Sequence, residues 1–541
     1  MSKVAAYLRG HISGEVVTRE DIRIAHASDG GVLSLKPEMV IYPRTTNDIR
    51  KVARFAWQLA EKGHTISITP RGAGTDGSGA AIGKGILLVT TAHMDRVYEY
   101  DAKQKLIRLQ PGASVAAVQA ALSLSGAGIQ ALQGSKSYGT VGGAVADAVA
   151  GPFAGKYGNI SRAVEQLEVV LANGDVLQTK RINKRELNRK KGMQGFEGDI
   201  YRGIDGIIDE YAEVVDSFTA DDMAGYSSIA DVKRKDGSFD LTPLFIGSQG
   251  TLGIISEMIL RAEFKSARLG VGVVTFADAG VARDTLDELA KMSPAMLEYF
   301  DADLFETAKA TGRAYSFYNE ASTEFQPQAV VVIGFDDFND HHRAKALKRL
   351  TKGLEKTDGT KLITADGEAA DELLAALDVV HYAQFPDHAG DVAPDIFGGF
   401  HIPTEQFESF VSALKVYAAQ EHIALPLAGH VILNTYSVYP TLSLNKVADK
   451  QRVFKLLDTL SKMVYAHQGT MIAEGGEGRL KTRAVYGELD EKVVAMYEAV
   501  RRVCDPHSTL NAGVKQQNEL RTLASQLRDT PDAGQFARFG L

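Results

Sequence analysis

Pro70-Arg71-Gly72-Ala73-Gly74-Thr75-Asp76-Gly77-Ser78-Gly79 lies between two β-branched runs, Ile66-Ser67-Ile68 and Ile86-Leu87-Leu88-Val89. Glycine tolerates positive φ and carries no side chain, so such a loop can turn several backbone N–H groups toward one pyrophosphate. Gly72, Gly74 and Gly77 also spell GxGxxG. That pattern marks a Rossmann dinucleotide site only where a helix opens directly after it. Here Ser78-Gly79-Ala80-Ala81-Ile82-Gly83-Lys84-Gly85 follows, too rich in glycine for a helix, and then a second strand. The Rossmann reading fails on context, and by itself the loop reads equally as a cofactor loop or a glycine-rich turn.

Two further stretches of small residues break the tie. Gly134-Ser135-Lys136-Ser137-Tyr138-Gly139-Thr140-Val141-Gly142-Gly143 runs on through Ala146 to Ala150-Gly151 and Tyr157-Gly158, and Gly247-Ser248-Gln249-Gly250-Thr251-Leu252-Gly253-Ile254-Ile255 repeats the theme. The tail adds Asp505-Pro506-His507-Ser508-Thr509-Leu510-Asn511-Ala512-Gly513-Val514-Lys515. In this order the four motifs resemble the FAD domain of the vanillyl-alcohol-oxidase or p-cresol-methylhydroxylase-like flavoproteins. Within that group the chain is similar to the D-lactate dehydrogenase and glycolate oxidase branch, whose closing motif is Asp-Pro…Leu-Asn-Pro-Gly-Lys. The resemblance covers roughly residues 36 to 516. It implies FAD held by Arg71, Gly72, Ala73, Gly74, Thr75 and Asp76 of the first loop, and by Gly134, Ser135, Thr140, Gly142, Gly143, Ala146, Tyr157 and Gly158 of the second. Gly250, Gly253 and Ile254 of the third loop and Asn511 and Lys515 of the tail complete the expected set. No histidine occurs between Arg71 and Gly83, where relatives that attach FAD covalently through this loop carry theirs, so a non-covalent FAD is expected.

Composition bounds the rest. A length of 541 residues allows two to four domains, and a net charge of −8 argues against nucleic acid as a general partner. One cysteine, Cys504, excludes an internal disulfide and an all-cysteine iron–sulfur cluster, so electrons must leave the flavin for an outside acceptor, a quinone or a protein. The N-terminus lacks an apolar core long enough for a signal peptide, and the longest apolar stretch, 113–132, reads as a buried helix and turn. A soluble, cytoplasmic protein is the expectation. The basic segment 180–191 reads either as a solvated face or as an electrostatic patch for a membrane surface or an acidic electron acceptor.

Along the chain, residues 1–35 read as a helix-and-loop preamble, 36–265 as the FAD-binding domain, 266–470 as a cap and 471–541 as a return to the FAD domain. Thr45 to Asp48 offer N-caps for a helix with Ile49, Val52, Ala53, Ala56 and Leu59 on one face. Asn173-Gly174 predicts a hairpin, because both turn positions accept positive φ. After Glu263 a β-α-β pattern recurs, which suggests an open antiparallel sheet with helices on one face, a duplicated ferredoxin-like cap over the flavin. The fold class expected is therefore α+β.

The resemblance is most informative where it breaks. Relatives of the D-lactate and D-2-hydroxyglutarate dehydrogenase type carry a Gly-His-Ala-Gly-Asp-Gly-Asn-Leu-His strand and a Gly-Glu-His-Gly turn. Two histidines and the glutamate there hold a divalent metal, and the histidine beside the glutamate takes the substrate's proton. Here the strand reads Gly429-His430-Val431-Ile432-Leu433-Asn434-Thr435-Tyr436-Ser437, and the turn reads Ala473-Glu474-Gly475-Gly476-Glu477-Gly478-Arg479. Ser437 and Gly475 replace the second metal ligand and the proton acceptor, so no bound metal is expected. His430 and Glu474 remain as candidate bases, with His401 and Glu477 behind them, and Arg479 and Lys481 as the nearest cations, usually solvated on such a loop. The family's Gly-Gly-Asn-Val-Ala-Thr-Asn-Ala-Gly-Gly is here Gly142-Gly143-Ala144-Val145-Ala146-Asp147-Ala148-Val149-Ala150-Gly151, with alanines at both asparagine positions, and Gln249 replaces a glutamate. The function implied is FAD-dependent oxidation of a small 2-hydroxy acid, D-lactate- or glycolate-like, by hydride transfer to flavin N5. Two alternatives stay open: an FAD enzyme of the same fold working on another alcohol or without net redox change, and a flavin-binding subunit without turnover.

Overall fold

The computed structural model describes residues 2–132, 137–266, 268–385 and 391–529. The first sheet is built from β1 (Glu15–Val17), β2 (Met39–Tyr42), β3 (Ile68–Arg71) and β4 (Ile86–Val89), in the order β1-β2-β4-β3. β4 is buried along its whole length, as suits an unbroken apolar run between two partners. β2 and β3 both run parallel to β4, while β1 pairs antiparallel with β2. The N-terminal preamble thus contributes a strand as well as the helix Ser2–Arg9. β3 begins two residues later than expected and takes in Pro70 and Arg71. Proline fits there because β3 is at the edge of the order and no partner strand needs its missing N–H. No helix joins β3 to β4, which is the exclusion of a Rossmann unit made structural. The helix Thr46–Ala60 precedes β3, capped by the Thr45 side chain on the Asp48 N–H, with Ile49, Val52, Ala53 and Ala56 buried.

The second sheet contains β5 (Val97–Asp101), β6 (Leu106–Leu109), β7 (Val164–Val170), β8 (Val176–Gln178) and β9 (Ile254–Arg261), in the antiparallel order β5-β6-β9-β7-β8. The β7–β8 hairpin forms, but only Gly174 takes positive φ, at 85°. Gly174 N–H donates to Leu171 and Leu171 N–H to Asp175, so the turn is a longer one with glycine in its left-handed position. Most of the basic segment becomes the helix Lys184–Lys191, where Lys190 pairs with Glu197 and Lys191 with Asp205.

The third sheet has seven strands: β10 (Gly270–Phe276), β11 (Met296–Asp301), β12 (Ala329–Phe335), β13 (Thr360–Asp366), β14 (Gly398–His401), β15 (Leu427–His430) and β16 (Thr435–Val438). Their order is β13-β10-β12-β11-β15-β16-β14, antiparallel throughout. Side chains alternate, so Val274, Phe276, Leu297, Tyr299, Val331 and Ile333 share one core with the long helices Ala279–Ala290, Asp340–Leu354, Phe407–Glu421 and Val447–Ala466. Val271, Val273, Met296, Phe300, Val330 and Val332 face the other way, toward the short helices Asp303–Ala310 and Ser316–Ala321 and, at one end, a cavity. The segment read as one strand from Gly429 onward is a hairpin, β15 and β16, turning at Asn434 with φ 52°.

Candidate active site

The loop after β3 forms one wall of a cavity of about 410 Å³ shared by the FAD-type loops and the third sheet. Gly72, Ala73, Gly74, Thr75, Asp76 and Gly77 all line it, and no hydrogen bond among the described residues takes their backbone N–H groups. Arg71 braces the loop from within: its Nη1 donates to the Ser28 carbonyl at 2.9 Å and the Ala81 carbonyl at 3.2 Å. Gly74 has φ 75°, and a Cβ there would lie 2.2 Å from Arg71 Nη2. Gly72 presses on the second loop, where a Cβ would meet Thr140 Oγ1 at 2.0 Å. Thr140 in turn caps the Gly143 N–H and opens the short helix Val141–Ala146.

Thr140, Gly142, Gly143, Ala146, Gly250 and Gly253 line the cavity as well. Ile254 opens β9 and is buried in the first sheet's core, while its neighbour Ile255 reaches the cavity. Gly134 and Ser135 lie outside the described residues. Tyr157 donates its hydroxyl to Asp336, and Gly158 closes on the Arg162 side chain, so neither lines the cavity. The tail residues act from behind. Asn511 Nδ2 donates to the Ala80 and Gln249 carbonyls at 2.9 and 2.8 Å, tying the first loop to the third. Lys515 Nζ, without solvent exposure, donates to Glu477 Oε2 at 2.6 Å and to the Gly225 carbonyl at 3.0 Å.

On the opposite wall, the register of β11 against β15 sets Glu298 beside His430. His430 Nδ1 lies 2.6 Å from Glu298 Oε2, and its Nε2 lies 3.9 Å from Glu474 Oε1. Burial disfavours a charged imidazole, but the Glu298 carboxylate, its hydrogen bond and Glu474 together outweigh that and lift His430 to about 9. Burial also raises Glu474, with His430 opposing. Lys481 reaches the same cavity and donates to the Gly398 carbonyl at 3.1 Å. Ser437 lines the cavity with its Oγ accepting the Gly399 N–H at 3.1 Å. Gly475 has φ 65°, and nothing lies within 4 Å of where its Cβ would be. The space a side chain would take there is open. Among the described residues no group of three or more His, Cys, Asp or Glu could hold a metal ion.

Of the four candidate acid–base residues, then, His430 and Glu474 meet in the cavity. His401 pairs with Thr435 beyond the cavity lining, and burial lowers its pKa. Glu477 is fully buried among the Gly225 N–H, the Tyr486 hydroxyl and Lys515. Arg479 and Lys481 are both buried, contrary to the expectation of solvated cations. Arg479 donates to the carbonyls of Ile82 and Ala512, and burial lowers its pKa to about 10. Among the cavity residues that the sequence reading did not single out are Glu298 and Asp147. Each had a signal: a single carboxylate inside Met296-Leu297-Glu298-Tyr299-Phe300, and a single charge in the small-residue run Gly142 to Gly151.

Both halves of the chain have counterparts among known proteins. Residues 37–180 match the model of an FAD binding domain, and residues 266–514 match the C-terminal domain of FAD linked oxidases. The chain is 23% identical over 553 residues to a D-2-hydroxyglutarate dehydrogenase of Haemophilus influenzae, covering 96% of this chain and 52% of that protein. It thus spans about half the length of that relative. Glycolate oxidase subunit GlcD of Bacillus subtilis is 24% identical over 481 residues, 88% of each chain. The 4-ethylphenol oxidase from Gulosibacter chungangensis superimposes with a TM-score of 0.65 at 15% identity over 96% of this chain and 98% of the other, a likeness of fold. With both domains present in this order, the chain belongs to the FAD-linked oxidoreductases of the vanillyl-alcohol-oxidase/p-cresol-methylhydroxylase fold, on the branch of the D-lactate dehydrogenase-like and glycolate oxidase-like flavoproteins.

Proposed function

We propose that the protein oxidises a small 2-hydroxy acid, D-lactate- or glycolate-like, with a dissociable FAD as hydride acceptor. The carrying observation is the line Glu298, His430, Glu474 with Lys481 beside it, two cations and two acids converging on the cavity that the FAD-type loops enclose. The residues fit FAD: six backbone donors of Gly72 to Gly77 without an acceptor among the described residues, in a loop whose glycines leave no room for side chains. When bound, FAD supplies the acceptor for the hydride. His430, raised to about 9, is charged at neutral pH and, with Lys481, holds the substrate carboxylate. Glu474, on the far side of His430, takes the hydroxyl proton; its raised pKa makes it a stronger base once ionised. Glu298 keeps His430 protonated and oriented. The names of the relatives, D-2-hydroxyglutarate dehydrogenase and a glycolate oxidase subunit, support the 2-hydroxy acid class. In this reading the protein works in the cytoplasm and passes electrons to a quinone or a partner protein, with the exposed Lys184 and Arg185 of the basic helix available to a membrane surface or an acidic acceptor.

The test is anaerobic mixing of the FAD-loaded protein with D- and L-2-hydroxy acids, following the bleaching of flavin absorbance. One enantiomer of a small acid should reduce the flavin, and Glu474→Gln should slow that reduction ~100-fold or more. Flavin that dithionite bleaches and no 2-hydroxy acid does would overturn the substrate class. Acid precipitation should leave the colour in the supernatant; colour in the pellet would mean a covalent bond.

A further inference from the structure

The cavity contains two carboxyl groups on the FAD-loop side, Asp76 and Asp147, that the proposed reaction does not use. Their surroundings differ. Asp76 accepts three hydrogen bonds, from the Ser78 N–H at 3.0 Å, the Ser78 hydroxyl at 2.6 Å and the Ala80 N–H at 3.2 Å, a set that suits a carboxylate. The Asp147 side chain receives one among the described residues, from Gln249 Nε2 to Oδ1 at 2.8 Å. The direction of that bond is fixed elsewhere: the Gly478 N–H donates to Gln249 Oε1 at 2.9 Å, so the amide must present its NH₂ to Asp147. Asp147 also ends the helix Val141–Ala146, where carbonyl ends disfavour an anion. With one donor against the three that Asp76 receives, Asp147 is the carboxyl with little to hold a negative charge.

We infer that Asp147 stands in the cofactor cavity as a neutral carboxylic acid and donates a hydrogen bond from its second oxygen to bound FAD, so that FAD affinity falls when Asp147 ionises. Burial, with Asp76 adding to it, pushes Asp147 up to about 8. Gln249, Lys515 and Lys481 work against that shift. Both lysines are engaged, Lys515 with Glu477 and Lys481 with the Gly398 carbonyl, and Ser78 turns its hydroxyl to Asp76. The charged groups that act most strongly on Asp147 are Asp76, Lys515 and Lys481. Proton-bound Asp147 is the FAD-binding form, so affinity is constant below its pKa and declines as pH rises above it.

The inference rests on FAD as the cofactor, and the experiment separates the two. Apoprotein is titrated with FAD, following the flavin fluorescence, from pH 6 to pH 9.5 for the natural protein and for Asp147→Asn, which keeps a donor and cannot ionise. The natural protein's dissociation constant should hold steady to about pH 8 and be about thirtyfold weaker at pH 9.5, as expected for one proton, while Asp147→Asn stays flat. Infrared difference spectra at pH 7 should show the carbonyl stretch of a protonated carboxyl that moves on FAD binding and is missing in Asp147→Asn. A flat profile for the natural protein, an equal decline in Asp147→Asn, or a carboxyl band that FAD leaves unmoved would overturn the inference. Should Asp147→Asn fail to fold, the natural profile and the FAD-shifted band decide between the same outcomes. A natural protein that binds no FAD at pH 7 would instead overturn the cofactor reading.

Discussion

His430 carries its charge because of a neighbour. Its side chain is one-fifth exposed at 20%, and burial alone would leave it neutral; Glu298, at 2.6 Å, holds the proton in place. Glu298→Gln removes that charge while preserving the shape. His430 is raised in the folded protein, so the binding and stability that depend on its charge are complete below its ordinary range near 6.5 and lost as pH rises through about 9. In Glu298→Gln the loss should move down toward the ordinary range, seen as KM for the 2-hydroxy acid rising near neutral pH while kcat changes less. An unmoved KM profile would separate Glu298 from the proton on His430. His430 and Glu474 were legible because they sit in motifs that survive around the departures. Glu298 was not, because 132 residues separate it from His430 and only strand register joins them. His401 and Glu477 misled for a related reason: spacing along a turn or strand end does not say which side faces the cavity, and Glu477 turns inward to Lys515.

At the scale of elements, the loop after β3 works through backbone alone, so its tolerance to substitution is a direct test. A Cβ at Gly74 would sit 2.2 Å from the guanidinium that braces the loop, at a φ of 75°. Gly74→Val should weaken FAD binding at least tenfold in an equilibrium titration, since displacing Arg71 frees the carbonyls of Ser28 and Ala81 that it holds. Gly126, with φ 65° and nothing within 4 Å, separates backbone strain from collision. Gly126→Ala should keep FAD and lose only ~1 kcal/mol of stability in urea unfolding. The glycine loops and the β-α-β recurrence were readable because backbone freedom and apolar period are local properties. The strand Ile68–Arg71 was displaced in the reading because proline argues against a strand until its edge position is known. The β15–β16 hairpin was hidden because Val431 to Leu433 continue the apolar run across the turn.

Across the whole molecule, three distant segments meet at one buried ion pair. Lys515 and Glu477 have no exposed side-chain surface, and both also bind backbone of Gly225. Removing one partner strands a charge, so Lys515→Met should cost about 3–5 kcal/mol in chemical denaturation. Lys515→Met combined with Glu477→Gln should cost clearly less, because no unpaired ion remains; equal losses would show that packing, and not charge, is what the pair supplies. Sequence motifs marked the tail as part of the FAD domain, but its role as a brace depends on packing that no local pattern carries. One further contact sets a clock. The Ile68 N–H donates to Thr509 and the Asn511 N–H donates back to Ile68, at 2.7 and 2.8 Å, a rung of sheet beside the strand that starts the glycine loop. A ribosome delivers residue 68 long before residue 511. Until then the loop stands without the brace behind it, so flavin capture waits for the segment around Thr509 and Asn511, and a message broken after codon 480 yields a nascent chain with all three glycine loops and no colour.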